Sequence, residues 1–307
     1  MSAAPPPQST RASVLIPFTI VLLIWGSTWI VIRDQLAGVM VPPSWSVAYR
    51  FAVAGVALAV VAISKGERLS FDRSGWLFAG VLGLAQFVCN FNFVYRAEQH
   101  ITSGLVSVVF ALLLVPNAVF ARIFLGQRMG RQLLAGSAVA MAGVALLFIQ
   151  EARSNPNGAG EALIGIALTG CAILSASVAN VMQATRTAAR YPMIPMLAVA
   201  MLLGAAMDAA FALATVGAPV FDPRPSYIAG VLYLGLAASA LAFTLYFRII
   251  RTIGPAKAAY NSVIVPVIAM LLSTVFEGYR WSILAAAGGV LAGVGLVIAL
   301  TARRPNR

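Results

Sequence analysis

Charge is scarce in this chain of 307 residues: 10% of the side chains are Asp, Glu, Lys or Arg, against 61% that are hydrophobic. A soluble globular domain carries roughly a quarter charged residues and about half apolar ones, so an ordinary soluble domain is excluded. Histidine is nearly absent, with His100 the sole example, and few acidic side chains lie inside the apolar runs, Asp208 being the clear one. An intramembrane enzyme needs a nucleophile with its base, a metal cluster or paired carboxylates at depth. One peripheral His and one buried Asp assemble none of these, so the chain is not expected to be an enzyme. The two cysteines, Cys89 and Cys171, both fall in apolar stretches and read as core residues, with no disulfide framework or metal cluster implied. A Gly-rich loop ending in Lys-Ser/Thr is missing, which excludes direct ATP coupling within this chain. No cofactor or metal is expected. Rings of like-charged side chains are also wanting, which disfavours an ion pore.

Long apolar windows are what the chain has instead. They fall at residues 13–32, 44–64, 75–95, 101–121, 131–149, 162–183, 193–216, 227–247, 256–276 and 281–300. A spanning helix needs about 20 residues, so ten spans use roughly 200 residues and leave loops and tails of about ten each. The separators carry turn chemistry: Pro42 and Pro43, Lys65-Gly66-Glu67, Gly126 to Gly130, Asn155-Pro156-Asn157-Gly158, and Pro223 with Pro225. Residues 1–12 are Pro-rich and polar and read as a disordered tail. The run after Arg11 is too long for a signal core and ends without a small-residue cleavage pattern, so it is taken as the first span.

Twenty-one Lys and Arg against nine Asp and Glu give +12, which in a soluble protein would point to nucleic acid. Here the basic residues sort by side. Arg11, Lys65, Arg68, Arg73, Arg122, Arg128, Arg131, Arg186, Arg190, Arg248, Arg251, Lys257, Arg303, Arg304 and Arg307 make 15 on one side, and Arg33, Arg96, Arg153, Arg224 and Arg280 make 5 on the other. Cytoplasmic loops are enriched in Lys and Arg, so the bias predicts ten spans with both termini cytoplasmic and no nucleic-acid partner.

A shift of 150 residues, without a gap, superimposes the chain on itself. It pairs Pro42 with Pro192, Gly80-Val81-Leu82 with Gly230-Val231-Leu232, Gly104 with Gly254, Val115-Pro116 with Val265-Pro266 and Ala142-Gly143-Val144 with Ala292-Gly293-Val294. Each half holds five spans, an odd number, so the second enters the membrane from the opposite side. The expected fold is all-α and integral to the membrane, ten transmembrane helices in a 5+5 inverted-topology repeat. Residues 13–150 form the first repeat, 151–161 a periplasmic linker, 162–301 the second repeat and 302–307 a basic C-terminal tail.

Trp25-Gly26-Ser27, Arg50-Phe51, Phe93-x-Tyr95-x-Ala97 leading into Thr102-Ser103-Gly104, and Pro116 through Gly126-Gln127-Arg128 resemble the EamA family of the drug/metabolite transporter superfamily. Tyr246, Gly254-Pro255-Ala256, Pro266 and Glu277 repeat the pattern in the second half. Within the family, the chain is similar to the YddG-type amino-acid exporters of bacterial inner membranes. Gln127 stands where the family usually has Glu, whereas Glu277 keeps it, so the halves differ there. The resemblance implies a multi-pass protein of the bacterial inner membrane, monomeric or weakly dimeric. It implies export of a small metabolite, most readily an aromatic or neutral amino acid, by alternating access. Another amphipathic metabolite or drug, or a passive channel, are the alternatives.

Polar side chains in hydrocarbon are costly and face a cavity or another helix. Gln86 and Asn90 are four apart on one helix face, so they either line a substrate site or bond between helices; Asn92 points elsewhere and reads as structural. Trp25 and Thr28 are three apart and candidate lining residues, while Trp29 sits near enough the boundary to anchor at the interface. Tyr260-Asn261-Ser262 is a polar cluster that either meets substrate or caps a helix. Pro116 and Pro266, related by the repeat, each remove a helical hydrogen bond and are paired hinges or fixed packing kinks. Arg50 and Asp208 are intramembrane charges that either pair on a coupling path or make local bonds while snorkelling. His100 reads as a solvated loop residue, and Gly289-x-x-x-Gly293 as a close helix contact.

Overall fold

The structure, a computed structural model, describes residues 11–37, 41–126, 130–154, 159–253, 258 and 261–300. Each of the ten apolar windows holds helix. In chain order these are α1 Arg11–Ala37, α2 Pro43–Ser64, α3 Arg73–Ala97, α4 Ser103–Leu125, α5 Arg131–Ser154, α6 Ala159–Gln183, α7 Met193–Thr215, α8 Pro225–Thr252, α9 Asn261–Phe276 and α10 Ile283–Leu300. Among the described residues, seven of them, α1 to α4 and α6 to α8, are long and apolar enough to cross a membrane. The others contain the shorter apolar helices Leu134–Gln150, Val265–Phe276 and Ile283–Gly295.

The distribution of side chains reverses that of a soluble protein. Leu15, Leu23, Val60, Leu77, Val275 and Val290 are exposed, whereas Arg50, Gln86, Asn90, Asn117, Ser177 and Asp208 are buried. With water outside, such an apolar exterior would be an aggregating surface; with acyl chains outside, it is the solvated one. Cys171 belongs to that exterior and Cys89 is half-buried, so the expectation of two core cysteines is corrected. Thiols are apolar enough to face lipid as readily as protein.

Repeat-related positions adopt the same local structure. Pro42 and Pro192 hold the N-cap positions of α2 and α7, with ψ of 141° and 137°; the proline ring holds φ at −55° and −64°, values that suit an extended N-cap. More telling is the interior of α3 and α8. A π-helical stretch covers Gly83–Cys89 in one and Tyr233–Leu241 in the other, and both begin at positions 150 residues apart.

The halves interlock around these stretches. Helix α2 packs on the π stretch of α8 and α7 on that of α3, while α2 packs on α7 and α5 on α10. Glycine permits the approach of α5 and α10: a Cβ on Gly143 would lie 2.3 Å from the Ala292 nitrogen, and one on Gly295 would lie 2.2 Å from the Ala140 nitrogen. The expected close contact at Gly289 and Gly293 is not there; neither has an atom within 4 Å of a built Cβ. Gly288 and Gly295, which the four-residue motif passes over, lie seven apart and face α5 instead.

Candidate functional site

The widened turn of α3 carries Gln86, and Asn90 follows it by one turn; both are buried. Such π stretches alter the phase of side chains around a helix and recur at functional sites. Gln86 and Asn90 open onto a cavity of about 110 Å³ between the halves, which Trp25 and Thr28 of α1 and Asn261 and Pro266 of α9 also line. Six of the residues expected from sequence are thus gathered at one place. Pro116 is not among the lining residues, and Tyr260 lies outside the described residues.

Aromatic rings make much of the wall. Trp25 packs on Phe243 and Tyr246 with centroids 5.2 and 4.8 Å apart, and its indole N–H donates to the Ala238 carbonyl at 3.1 Å. Trp29 packs on Phe110 at 5.8 Å and lines the cavity, 8% exposed. It faces inward, which corrects its reading as a membrane-interface anchor; proximity to the helix end carried no information about which way the ring points.

Polar atoms in this wall are left without partners. Buried polar groups are satisfied in the great majority of cases, yet Trp29 Nε1, Arg50 Nη1, Gln86 Oε1, Asn90 Oδ1, Ser107 Oγ and Asn261 Oδ1 are buried with no hydrogen-bond partner, and all six residues line the cavity. Thr28 is different: its hydroxyl donates to the Trp25 carbonyl at 2.8 Å, so its own helix satisfies it. Arg50 and Asp208 are not paired. Arg50 donates from Nε to Ser239 Oγ at 2.9 Å, and Asn92 donates to Asp208 Oδ1 at 2.6 Å away from the cavity. Sequence reasoning therefore missed Arg50, Trp29 and Ser107 as lining residues. A guanidinium in an apolar run was the available signal, because such a charge must meet a cavity or a partner.

Pro266 lies inside the continuous helix α9, within its first two turns. Pro116 lies early in the α-helical Leu114–Leu125, directly after a 3-10 turn at Ala111–Leu113. Both prolines thus stand beside the cavity level, where α4 departs from regular α geometry. The N–H that Pro116 lacks fits the change of geometry in α4.

Polar clusters lie toward the two ends of the bundle. At one end Arg33 donates from Nη1 to the Glu98 carbonyl at 2.7 Å, at the C-terminus of α3 where a cation suits the helix dipole, and approaches Glu277 to 3.7 Å. Ser273 donates to Glu277, and His100 pairs with Glu161. His100 is consequently half-buried and bonded rather than a solvated loop residue; Glu161 opens α6 immediately opposite. Nearby, Asp222 accepts from the Arg224 main-chain N–H at 2.9 Å and from its Nε at 2.7 Å. The main-chain bond first, and the guanidinium beside it, hold the Asp222 carboxyl below its ordinary range. At the other end, Asp72 accepts from the Tyr191 hydroxyl at 2.6 Å and the Gly75 N–H at 2.9 Å. These bonds, Tyr191 foremost, lower its pKa. Gln127, where the halves differ in sequence, lies outside the described residues.

An apolar helical bundle with sequence-related halves, and between them a largely apolar cavity carrying a few polar groups, defines a polytopic membrane protein. The chain belongs to the EamA-like transporter family, which matches it twice, over residues 13–149 and 163–301. It is 31% identical to the uncharacterized inner membrane transporter YedA of Escherichia coli (strain K12) over 83% of this chain and 80% of that one. It is 28% identical to the probable terminal-alkyne amino-acid exporter of Streptantibioticus cattleyicolor over 90% of each, and 25% identical to protein PagO of Salmonella typhimurium over 89% and 88%. A solved crystal structure superimposes with a TM-score of 0.69, covering 94% of this chain and 97% of that one at 22% identity, and so shares the fold.

Proposed function

We propose that this protein is a secondary transporter of the bacterial inner membrane that exports small organic metabolites, with neutral and aromatic amino acids as the substrate class. Residues 13–150 and 162–301 act as two five-helix repeats of opposite orientation, with ten spans and both termini in the cytoplasm. The cavity between them receives the substrate and opens to one side at a time, with Pro116 and Pro266 as the paired hinges.

The observation that carries this reading is the set of unpartnered buried polar atoms in an aromatic wall. Amide oxygens of Gln86, Asn90 and Asn261 suit an ammonium group, and Trp25, Phe243 and Tyr246 suit an apolar side chain. At about 110 Å³ the cavity is well below the ~300–1,000 Å³ of drug-sized sites, which supports a small metabolite over a drug. The naming of one relative as a probable amino-acid exporter supports the same class.

Reconstituted protein tests it. Vesicles preloaded with an unlabelled amino acid should take up the labelled one with saturable, exchange-stimulated kinetics. Linear flux would indicate a channel, and silence across an amino-acid panel would remove the substrate class.

A further inference from the structure

Arg50 is 1% exposed at the cavity wall, and among the described residues no carboxylate is in direct contact with its charge: no Asp or Glu oxygen comes within 4 Å of its guanidinium. Nε is engaged by Ser239, in the π stretch of α8, and the guanidinium lies 4.2 Å from the centroid of Phe91 and 5.3 Å from that of Phe51. The group is therefore fixed in position by a hydrogen bond and two rings, while Nη1 is buried without a partner. The titratable groups around it are Tyr95, with which the guanidinium also shares a side-chain hydrogen bond, then Glu98 and Tyr233. Tyr95 donates to Gln35 Oε1 at 2.9 Å; Arg33 binds only the main-chain carbonyl of Glu98, whose buried carboxylate accepts no hydrogen bond among the described residues and stays out of contact with the Arg50 guanidinium. Buried cations are ordinarily paired, so a buried guanidinium held rigid with one donor free marks a place for an anion that arrives from elsewhere.

We propose that Arg50 is the anchor for the carboxylate of the transported molecule, so that a free carboxylate is a requirement for binding in this cavity. Guanidinium is the side-chain group whose planar donors match a carboxylate. With the carboxylate at Arg50, the amide oxygens of Gln86 and Asn90 remain for the ammonium of a zwitterion. This inference rests on the reading that the cavity receives the substrate and narrows it: amides, esters and amines of the same shape are excluded.

The test uses the purified full chain in detergent, with its tryptophan fluorescence, to which Trp25 and Trp29 at the cavity contribute, as the reporter. The ligands are 3-phenylpropionate and 3-phenylpropionamide, which match in shape and differ in charge. Wild-type protein should bind the acid at least about tenfold more tightly than the amide, the scale of one hydrogen bond to a charged group. Arg50→Gln should bring the two to within about threefold, and Arg50→Lys should restore part of the preference. Equal binding of acid and amide to wild type, no binding of the acid, or an acid preference that survives Arg50→Gln would each overturn the proposal. The wild-type comparison decides even if Arg50→Gln fails to fold. Amino-acid exchange in vesicles with no Arg50-dependent acid preference would sink the anchor and leave the transport reading standing. Arg50-dependent acid binding without any exchange would do the reverse.

Discussion

Trp25 of α1 donates its indole N–H to the carbonyl of Ala238 in the π stretch of α8, 3.1 Å away, and so ties the two halves together at the wall of the cavity. A carbonyl oxygen has two lone pairs, which lets Ala238 accept from outside its own helix. Trp25→Phe keeps an aromatic face against Phe243 and removes the donor together with one ring of the indole. The bond alone contributes about 0.5–1.5 kcal/mol, so the cost is at least that, read as a lowered unfolding temperature in detergent. An unchanged unfolding temperature would show that the bond across the halves contributes nothing.

Gln86 and Asn92 sit on the same helix with opposite bonding, and this separates function from stability. Gln86 Oε1 has no partner in the protein, whereas Asn92 holds the buried Asp208. Gln86→Ala should therefore raise KM for exchange about tenfold, as expected for losing a bond to a charged ligand group, at near-normal abundance. Asn92→Ala should cost about 1–3 kcal/mol by stranding a buried acceptor and should lower abundance before it alters KM. Equal loss of abundance in both variants would make Gln86 a bundle-holding residue.

Helix positions, the internal repeat and the Gln86/Asn90 face were legible because they depend on local pattern: apolar windows, a constant offset of 150 residues and a four-residue spacing. The π stretches were not, since no residue type marks a turn widened by tertiary packing. Trp29 was misread, and the place of Arg50 in the cavity wall was missed, for a related reason. Distance from a helix end is countable in sequence, but the direction a side chain takes depends on which neighbour lies opposite, here Ser239 for one and Phe110 for the other. The Gly289/Gly293 motif failed likewise: four-residue spacing permits close packing, and the contact used Gly288 and Gly295.

Asp72 links the halves through Tyr191 and caps α3 through Gly75. Its pKa is lowered from 3.8, first by the Tyr191 hydroxyl and then by the Gly75 N–H. For an acid whose folded pKa is depressed, the stabilisation is fully present above the unfolded value and is lost as pH falls through the folded one. Unfolding temperatures of wild type and Asp72→Asn should therefore differ at pH 6 and converge as the pH is taken below about 4. A difference that stays constant over that range would show that the Asp72 charge is not the source.

Two glycines that the repeat itself pairs, Gly143 and Gly293, should respond oppositely to the same substitution. At Gly143 a Cβ would lie 2.3 Å from the Ala292 nitrogen and 2.6 Å from the Gly288 carbonyl, both backbone atoms that no rotamer change can move aside. At Gly293 a Cβ meets nothing within 4 Å. Gly143→Val should force α5 and α10 apart at a cost of about 1–3 kcal/mol, the scale of overpacking. Gly293→Val should be neutral or slightly stabilising, because it adds apolar surface where lipid lies and no neighbour is displaced. Unfolding temperature and detergent-phase monodispersity of the two variants distinguish the cases. If Gly293→Val were the damaging one, its open face would be in contact with something outside this chain, and the α5–α10 packing would have to be reassigned.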